Sequence, residues 1–232
     1  MKRVALVLSL AAAVAGLVGC NVDLNPEEGR AFNYDFNAGA QGWTVGFSDY
    51  PVDNAEIFEL ESGIKKLPQN AQKSGFLLSG MNRSDDLFMF LKRQFSGLEP
   101  STKYYARVRV SFVTNAGVGC MGIGGSPGEG VYLKFGYGDK EPKQDGYYLN
   151  LDKGNQAQSG THAKIIGNIA TSGADCYGEK FAEKTVQTTT LERVPVYSDA
   201  KGQTWLFVGT DSGHEGLTVL YYTSIEIALE SF

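Results

Sequence analysis

The segments KYYARVRVSF at Lys103–Phe112 and VLYYTSIEIAL at Val219–Leu229 decide the fold that we predict from the sequence. In the first segment, apolar or aromatic residues from Tyr104 to Phe112 occupy every second position, and mostly polar residues occupy the others. In the second, a set of Val, Tyr, Thr, Ile and Leu alternates with a set that includes Ser and Glu. A period of two residues is typical of a β-strand with one buried face and one wet face. Each segment is therefore predicted to form a long strand.

Shorter strand patterns fill the rest of the chain, and no long helical stripe is found between Ala31 and Phe232. Turn residues separate these patterns, as in β-sandwiches and jelly rolls. The candidates are Gly42–Phe47, Ile57–Leu60, Gly75–Leu78, Leu87–Phe95, Val118–Ile123, Val131–Tyr137, Tyr147–Leu151, Val186–Thr190 and Thr204–Val208. We therefore predict an all-β chain with a single jelly-roll-like β-sandwich at residues 31–232. The stretch Gly154–Lys184 is predicted to be a long decorated loop, in which Ala163–Ala170 could form a short helix or strand.

The composition agrees with this fold class and excludes several functions. The 232 residues include 29 glycines, and aromatic residues make up 12%, which together favour many turns between strands. A hydrophobic content of 42% weighs against a disordered chain and against a protein with many membrane spans. The net charge of −5 weighs against nucleic-acid binding, which requires a basic surface.

The first twenty residues have the features of a bacterial lipoprotein signal. Lys2 and Arg3 precede the apolar run Val4–Val18, which is shorter than the roughly 20 residues of a membrane span. Leu17-Val18-Gly19-Cys20 resembles a lipobox, and this resemblance implies cleavage after residue 19 and acylation of Cys20. Several acyl chains would anchor the chain stably to a lipid membrane.

The residues that follow the lipobox predict a tether and a location. Residues 20–30 are polar and are predicted to connect the lipid to the domain. Asn21, in place of the Asp that retains enterobacterial lipoproteins at the inner membrane, favours the outer membrane of a bacterial cell envelope. Removal of Lys2 and Arg3 with residues 1–19 leaves 19 basic and 26 acidic residues, a net charge of −7.

Cys120 and Cys176 are the cysteines that remain after lipidation of Cys20. An oxidising compartment predicts a disulfide between them, which would join the long loop to a glycine-rich segment. The alternative is a zinc site that also uses His162 and His214, although the spacing of these residues matches no common zinc motif.

Three segments resemble a family of uncharacterised bacterial secreted proteins and lipoproteins, to which no activity is attached. They are Cys120–Glu129, Asp152–Gln156 and Val208–Gly216. More loosely, the Trp43 segment, Leu98–Tyr105 and the last strand are similar to galactose-binding-like jelly rolls and carbohydrate-binding modules. Such modules often hold a structural calcium, but Tyr222–Glu226 departs from the Ile-Asp-Asp run expected there, which leaves no certain cofactor.

Two further motifs admit a catalytic or a structural interpretation. Gly124–Gly128 matches G-x-S-x-G, but a strand pattern follows it where a hydrolase has a helix, so a glycine-rich turn is the alternative to a nucleophilic serine. Asp211-Ser212-Gly213 resembles the turn of aspartic proteases, but no second copy is present. Asp211 and Glu215 could instead hold calcium, or Asp211 could form an Asx turn.

Six residues are candidates for ligand binding at the predicted loops. The polar candidates are Asp152, Asn155, Asp211 and Glu215, and the stacking candidates are Trp43 and Tyr148. Carboxylates and amides bind sugar hydroxyls, and aromatic rings stack on the C–H faces of sugars. Turn capping is the alternative for Asp152 and Asn155, and core packing is the alternative for Trp43.

These features predict a lipid-anchored, non-catalytic binding module for carbohydrate or glycan. Its binding walls are expected at Gly154–Lys184 and Thr210–Gly216. Two alternatives stay open. One is a polysaccharide hydrolase or lyase that uses Asp211, His214 and Glu215, since a fold does not settle a function. The other is a structural component of the envelope.

Overall fold

The computed structural model describes residues 29–189 and 193–231. The predicted signal peptide at residues 1–19, the lipidated Cys20 and nearly all of the tether at residues 20–30 lie outside the described residues. In the part of the chain that is described, no helix has the length and apolar character needed to cross a membrane.

The described residues form fourteen β-strands and two 3-10 helical segments, Phe36–Ala38 and Val52–Phe58. The strands are β1 (Gly29–Asp35), β2 (Thr44–Ser48), β3 (Glu61–Leu67), β4 (Asn70–Met81), β5 (Phe88–Phe95), β6 (Lys103–Thr114), β7 (Val131–Gly138), β8 (Gln144–Asp145), β9 (Tyr148–Leu149), β10 (Ala163–Asn168), β11 (Ala182–Gln187), β12 (Val194–Tyr197), β13 (Thr204–Ser212) and β14 (Leu217–Ser231). The predicted all-β, jelly-roll-like sandwich is confirmed.

Two antiparallel sheets form the sandwich. Sheet A has the order β11-β6-β14-β4-β3, with β1 beside the second half of β14 and β12 beside the first part of β6. Sheet B has the order β10-β7-β13-β5-β2, and β8 pairs with β9 in a separate short hairpin. Strands that are distant in the sequence therefore become neighbours, and β7, β13 and β5 form the centre of sheet B.

The core between the sheets follows the predicted alternation in β6, where Tyr104, Ala106, Val108, Val110 and Phe112 are buried. Strand β14 departs from strict alternation, because a bulge shifts its register between Tyr222 and Ser224. The buried side chains of β14 that join the main core are Leu220 and Tyr222 before the bulge, and Ile225, Ile227 and Leu229 after it. A bulge adds one residue to one strand, so the buried face changes from even to odd positions.

Trp43 lies in this core, with 2% of its surface exposed. Its ring makes edge-to-face contacts with Tyr34, Phe36 and Phe95. Packing of this kind stabilises the core through apolar burial and ring geometry. The prediction that Trp43 stacks on a ligand is therefore wrong, and the alternative of core packing describes it.

A second, smaller core lies on the outer face of sheet B. Phe88 and Phe90 of β5 and Phe207 of β13 point away from the main core, and Leu149 and Leu151 cover them. We call residues 139–162 the cover segment, because it closes this face. Strand β5 is thus buried on both faces, which explains its nearly continuous apolar run.

Glycines on the neighbouring strands make room for these rings. A Cβ atom at Gly46 would lie 2.2 Å from Phe90, and one at Gly136 would lie 2.2 Å from Phe207. Real side-chain contacts are never this short, so the small core requires glycine at both positions.

Some predicted elements differ from the structure. Val118–Ile123 is not a strand, and neither is Ile57–Leu60, whose first two residues end a 3-10 segment. The predicted loop Gly154–Lys184 contains β10 and the first residues of β11. The cause is that β10 forms an edge of sheet B, and pairing with β7 compensates for its weak apolar pattern.

The two ends of the sandwich differ in what they present. Gly29 pairs with Glu230 at one end, which we call the tether end because the described chain begins there. The connection Gly213–Gly216 between β13 and β14 lies at the other end, which we call the distal end. Strand β14 has 15 residues, so the two ends are roughly 45–50 Å apart.

Cys120 and Cys176 form a disulfide and are separated by 56 positions in the sequence, so the predicted bond is present and the zinc alternative is wrong.

We expect loss of this bond to lower the free energy of unfolding by about 4 kcal/mol, because the open chain gains conformational freedom when unfolded. Urea unfolding with and without a reducing agent measures this difference. A Cys120→Ser/Cys176→Ser chain should be as unstable as the reduced protein and insensitive to the reducing agent. Equal midpoints for oxidised and reduced protein would contradict the prediction.

Candidate functional site

The three segments with a family resemblance meet at the distal end. The backbone N–H of Glu215 donates to the carbonyl of Ile123, and the Gln156 side chain lies against Gly213. The His214 ring nitrogen Nδ1 lies 3.2 Å from the carbonyl oxygens of Ile123 and Gly125. Residues that are far apart in the sequence therefore form one continuous surface region.

Asp211 and Lys134 occupy the outer face of sheet B on adjacent strands. Lys134 pairs with Gly209 and Asp211 pairs with Tyr132, so the two charged side chains are diagonal neighbours on one face. Their Nζ and Oδ2 atoms are 2.6 Å apart, and both side chains are 0% exposed. A buried charge is costly unless it is paired and hydrogen-bonded, so neither Lys134 nor Asp211 would be stable here as a charged group without the other.

Lys134 also fixes the cover segment. Its Nζ donates to the carbonyls of Lys153 and Gln158, at 3.0 Å in each case. Lys92 acts in the same way on the same face, since its Nζ donates to the carbonyl of Pro142 at 2.7 Å and pairs with Glu141. Two lysines of sheet B thus bind the backbone of the cover segment.

Lys153 joins this network from the cover segment. Its Nζ lies 2.9 Å from Asp211 Oδ2, 3.4 Å from Asp86 Oδ1 and 3.6 Å from Asp49 Oδ1. The backbone N–H of Gln156 donates to the same Asp211 Oδ2 at 2.9 Å. We call Lys134, Lys153, Asp49, Asp86 and Asp211 the buried charge cluster.

Burial and neighbouring charges shift the protonation of the cluster. Burial, together with the Asp211 carboxylate, raises the pKa of Asp86 to about 7. Burial also raises the pKa of Asp49 and lowers the pKa of Lys134. Burial alone would lower the pKa of Lys153, because it disfavours the charged form. The carboxyl groups of Asp211, Asp49 and Asp86 favour the charged form, and the pKa of Lys153 is raised as a result.

A cleft of about 510 Å³ opens above the cluster. We call it the acidic cleft, because carboxyl and amide side chains dominate its lining. The polar lining residues are Asp49, Asp86, Asp145, Asn150, Asp152, Lys153 and Asn155. Tyr148 stands at its side with 64% of its surface exposed, so a ring face is available to a ligand.

Three of the six predicted ligand residues, Tyr148, Asp152 and Asn155, line this cleft together. Asp152 also caps a turn, because its carboxylate accepts from the backbone N–H groups of Thr161 and Gly154, and these bonds lower its pKa. Asp152 therefore caps a turn, as the alternative interpretation predicted. Its side chain is also exposed and lines the cleft.

The other two polar candidates are separated from the cleft. Asp211 lies beneath the cleft with no exposed surface, and Lys134 and Lys153 occupy its Oδ2. Glu215 is exposed on the β13–β14 connection and contacts Gly124. The predicted alternative of a hydrolase built from Asp211, His214 and Glu215 therefore lacks an assembled set of side chains.

The G-x-S-x-G motif forms a turn. The hydroxyl of Ser126 donates to the Glu129 carboxylate and accepts from the backbone N–H groups of Gly128 and Glu129. The motif is therefore a glycine-rich turn, which is the structural alternative to a nucleophilic serine.

The sequence interpretation missed Lys134, Lys153, Asp49 and Asp86. The detectable signal was the run Leu87–Leu91, whose side chains are apolar on both faces of the strand. Such a run indicates that a second layer covers the outer face of a sheet, and a charged residue in the neighbouring strands must then find a buried partner.

Among residues 29–189 and 193–231, no group of three or more His, Cys, Asp or Glu side chains is arranged to hold a metal ion. The carboxylates of the buried charge cluster face lysine ammonium groups. A structural calcium therefore stays a prediction.

No family model and no curated protein matches the chain. The solved structures that resemble it include TmCBM27, a carbohydrate-binding module with specific mannan recognition, at 9% identity and a TM-score of 0.40, covering 87% of this chain and 99% of that one. TmCBM61 in complex with β-1,4-galactotriose has 12% identity and a TM-score of 0.34, with coverages of 85% and 94%. The K1 cleaved adhesin domain of Lys-gingipain from Porphyromonas gingivalis W83 has 10% identity and a TM-score of 0.36, with coverages of 88% and 99%. Carbohydrate-binding modules, the class that the sequence resembles, are thus among its structural neighbours.

The raised pKa of Asp86 predicts how stability changes with pH. The folded chain holds a proton on Asp86 up to a pH of about 7, whereas the unfolded chain loses it near 3.8. Between these values the folded state binds more protons, so this group's contribution to stability falls as the pH rises from about 4 to about 7.

Replacement of Asp86 by Asn removes this titration and keeps a side chain of similar shape. We expect the free energy of unfolding of the natural chain, relative to Asp86→Asn, to increase as the pH is lowered from about 7 to about 4. Urea unfolding of both chains across this pH range measures the slope. A difference between the two chains that does not change with pH would contradict the raised pKa.

Proposed function

We propose that the chain is a lipid-anchored, non-catalytic binding module of the bacterial envelope, and that its ligand is a carbohydrate held in the acidic cleft. The observation that carries the proposal is the exposed Tyr148 ring beside a cleft lined with carboxylates and amides. A sugar presents C–H groups on its ring faces and hydroxyls at its edge. An aromatic ring and a set of polar side chains match these two features.

The charge of the cleft supports a class of carbohydrate. The lining contains the exposed carboxyl groups of Asp145 and Asp152, and its single ammonium group, that of Lys153, is already paired with Asp49 and Asp211. Like charges repel across a partly dehydrated site, so uronic acids and sulfated sugars are disfavoured. We therefore propose neutral or amino sugars as ligands.

A non-catalytic role is supported by the state of the carboxyl groups at the cleft floor. Glycoside hydrolases use two carboxyl groups that act on the scissile bond as acid and as base or nucleophile. Here Asp49 and Asp86 both face the Lys153 ammonium, and Asp49 also accepts a hydrogen bond from Ser48 at 2.6 Å. These contacts give both carboxyl groups a structural role at the floor of the cleft.

The position of the cleft supports presentation away from a membrane. Asp49 follows β2, Asp86 precedes β5 and Asp211 is near the end of β13, all toward the distal end. The described chain begins at Gly29, at the tether end. A lipid on Cys20 would therefore leave the cleft facing outward from the bilayer, whichever membrane holds it.

The ring of Tyr148 is expected to contribute to affinity. A glycan array probed with the full-length chain in detergent identifies the sugar that it binds. We expect Tyr148→Ala to weaken binding of that sugar roughly 3- to 10-fold, since a ring contact contributes about 0.5–1.5 kcal/mol. Isothermal titration calorimetry measures this loss.

Tyr177 supplies the matched control, because it is 87% exposed and lies outside the acidic cleft. Tyr177→Ala should bind as the natural chain does. Absence of any ligand among neutral and amino sugars on a broad array would contradict the proposal. Release of reducing ends or unsaturated products from a bound polysaccharide would replace it with the hydrolase or lyase alternative.

Lipid attachment has its own test. Cells that express the full-length chain are grown with labelled palmitate, and we expect label on the natural chain and none on Cys20→Ala, because the thioether requires the cysteine sulfur. Outer-membrane location is checked by separating the two membranes. An unlabelled natural chain would contradict lipid anchoring and leave the sugar-binding proposal standing.

A further inference from the structure

Lys134, Asp211 and Asp86 form a reactive arrangement inside the buried charge cluster. The Lys134 and Asp211 side chains have no exposed surface, and their Nζ and Oδ2 atoms are 2.6 Å apart. Asp86 is close to Asp211, because Lys153 Nζ lies 3.4 Å from Asp86 Oδ1 and 2.9 Å from Asp211 Oδ2. Asp211 Oδ1 is buried and has no hydrogen-bond partner among the described residues. An amine and a carboxyl group are thus packed together away from water, with a second, partly exposed carboxyl group beside them.

We propose that Lys134 and Asp211 are joined by an intramolecular isopeptide bond between Lys134 Nζ and Asp211 Cγ, formed with the loss of one water molecule. The reactants are an ammonium group and a carboxylate, and the products are an amide and water. The atoms and charges therefore balance without an oxidant, a nucleotide or a second protein. The bond crosslinks β7 to β13 at the centre of sheet B.

Asp86 carries the protons in this reaction. The Lys134 ammonium passes one proton to Asp211 Oδ1, and the neutral amine attacks Asp211 Cγ, which forms the C–N bond. Asp86 donates its proton to the same Oδ1, the C–O bond breaks as Oδ1 leaves in water, and the Asp86 carboxylate takes the second proton from the nitrogen. Two of the three protons on Lys134 Nζ end on this water, and Asp86 returns to its starting protonation state.

The charge that develops on Oδ2 already has donors in place. Lys153 Nζ lies 2.9 Å from Oδ2, and the backbone N–H of Gln156 lies at the same distance. Donors fixed in advance around a developing oxyanion are a large source of rate enhancement. Lys134, Asp86, Lys153 and Gln156 thus supply the nucleophile, the proton carrier and the oxyanion donors.

The surroundings favour the amide over the ion pair. Burial lowers the pKa of Lys134, which favours the neutral amine that can attack. Condensation removes one positive and one negative charge from a place without water, where each charge is costly. The sheet holds the two groups in contact, so the reaction needs no encounter between separate molecules.

The product keeps the main contacts of the cluster. Oδ2 becomes the amide oxygen and retains the donors from Lys153 and Gln156. The amide nitrogen keeps one hydrogen for the carbonyl of Lys153 or Gln158, which Lys134 contacts already. Lys153 stays paired with Asp49 and Asp86.

Peptide mass spectrometry of the full-length chain tests the proposal directly. After reduction and digestion with trypsin, we expect a branched peptide that contains both Lys134 and Asp211 and is lighter than the two linear peptides by one water. Trypsin should not cut after Lys134 in this species. If a chain with an intact Cys120–Cys176 disulfide yields the two linear peptides instead, Lys134 remains an ammonium ion and the proposal is wrong.

Two variants test the role of Asp86. Asp86→Asn keeps the shape of the side chain but cannot pass protons, and we expect the crosslinked fraction to fall at least tenfold at equal times after synthesis. Asp85→Asn is the matched control, because it makes the same change at the adjacent, exposed residue, which lies outside the cleft lining, and it should crosslink fully. Disulfide formation reports folding of each variant. Complete crosslinking of a folded Asp86→Asn chain would overturn the role of Asp86, and the natural chain alone decides whether the bond exists.

Discussion

The architecture around the cleft depends on two lysines and a carboxylate whose side chains are buried or nearly so. Removing one member of a buried, paired set leaves an uncompensated charge, at a cost of about 3–5 kcal/mol. Lys134 and Asp211 come from sheet B, whereas Lys153 comes from the cover segment. The sheet and its cover therefore cannot separate without breaking the hydrogen bonds among these buried polar groups, and the position of the cover segment is fixed by them as well as by its small apolar core.

This constraint also determines the shape of the acidic cleft. The cover segment has little regular structure, since its only strands are the two-residue β8 and β9. Backbone carbonyls of Lys153, Gln158 and Pro142 accept hydrogen bonds from lysines of sheet B, which replaces the ladder that a longer strand would have. An irregular segment is thereby fixed in place beside the acidic cleft, where we propose that the ligand binds.

The sequence was sufficient for the features that depend on local patterns. Alternation predicted β6 and β14, and glycine-rich turns predicted the sandwich, because a strand with one buried face repeats every two residues. The bulge in β14 was not predictable, since Thr223 has no property that marks an extra residue. Trp43 could not be assigned either, because its burial depends on Tyr34 and Phe95, which lie on other strands. The buried charge cluster draws on five separate places in the chain, and only the topology of sheet B brings them together.

In the proposed binding site, the floor of the acidic cleft maintains the fold and the rim contacts the ligand. Asp49 and Lys153 at the floor are nearly fully buried, and their contacts maintain the attachment of the cover segment. Tyr148, Asp145 and Asn155 at the rim are exposed, and a change there leaves the charge cluster intact. Substitutions at the floor are therefore expected to alter stability first, whereas substitutions at the rim are expected to alter only the proposed binding. Under this proposal, changes at the rim would change the ligand of the scaffold, while the buried polar contacts keep the cleft in place.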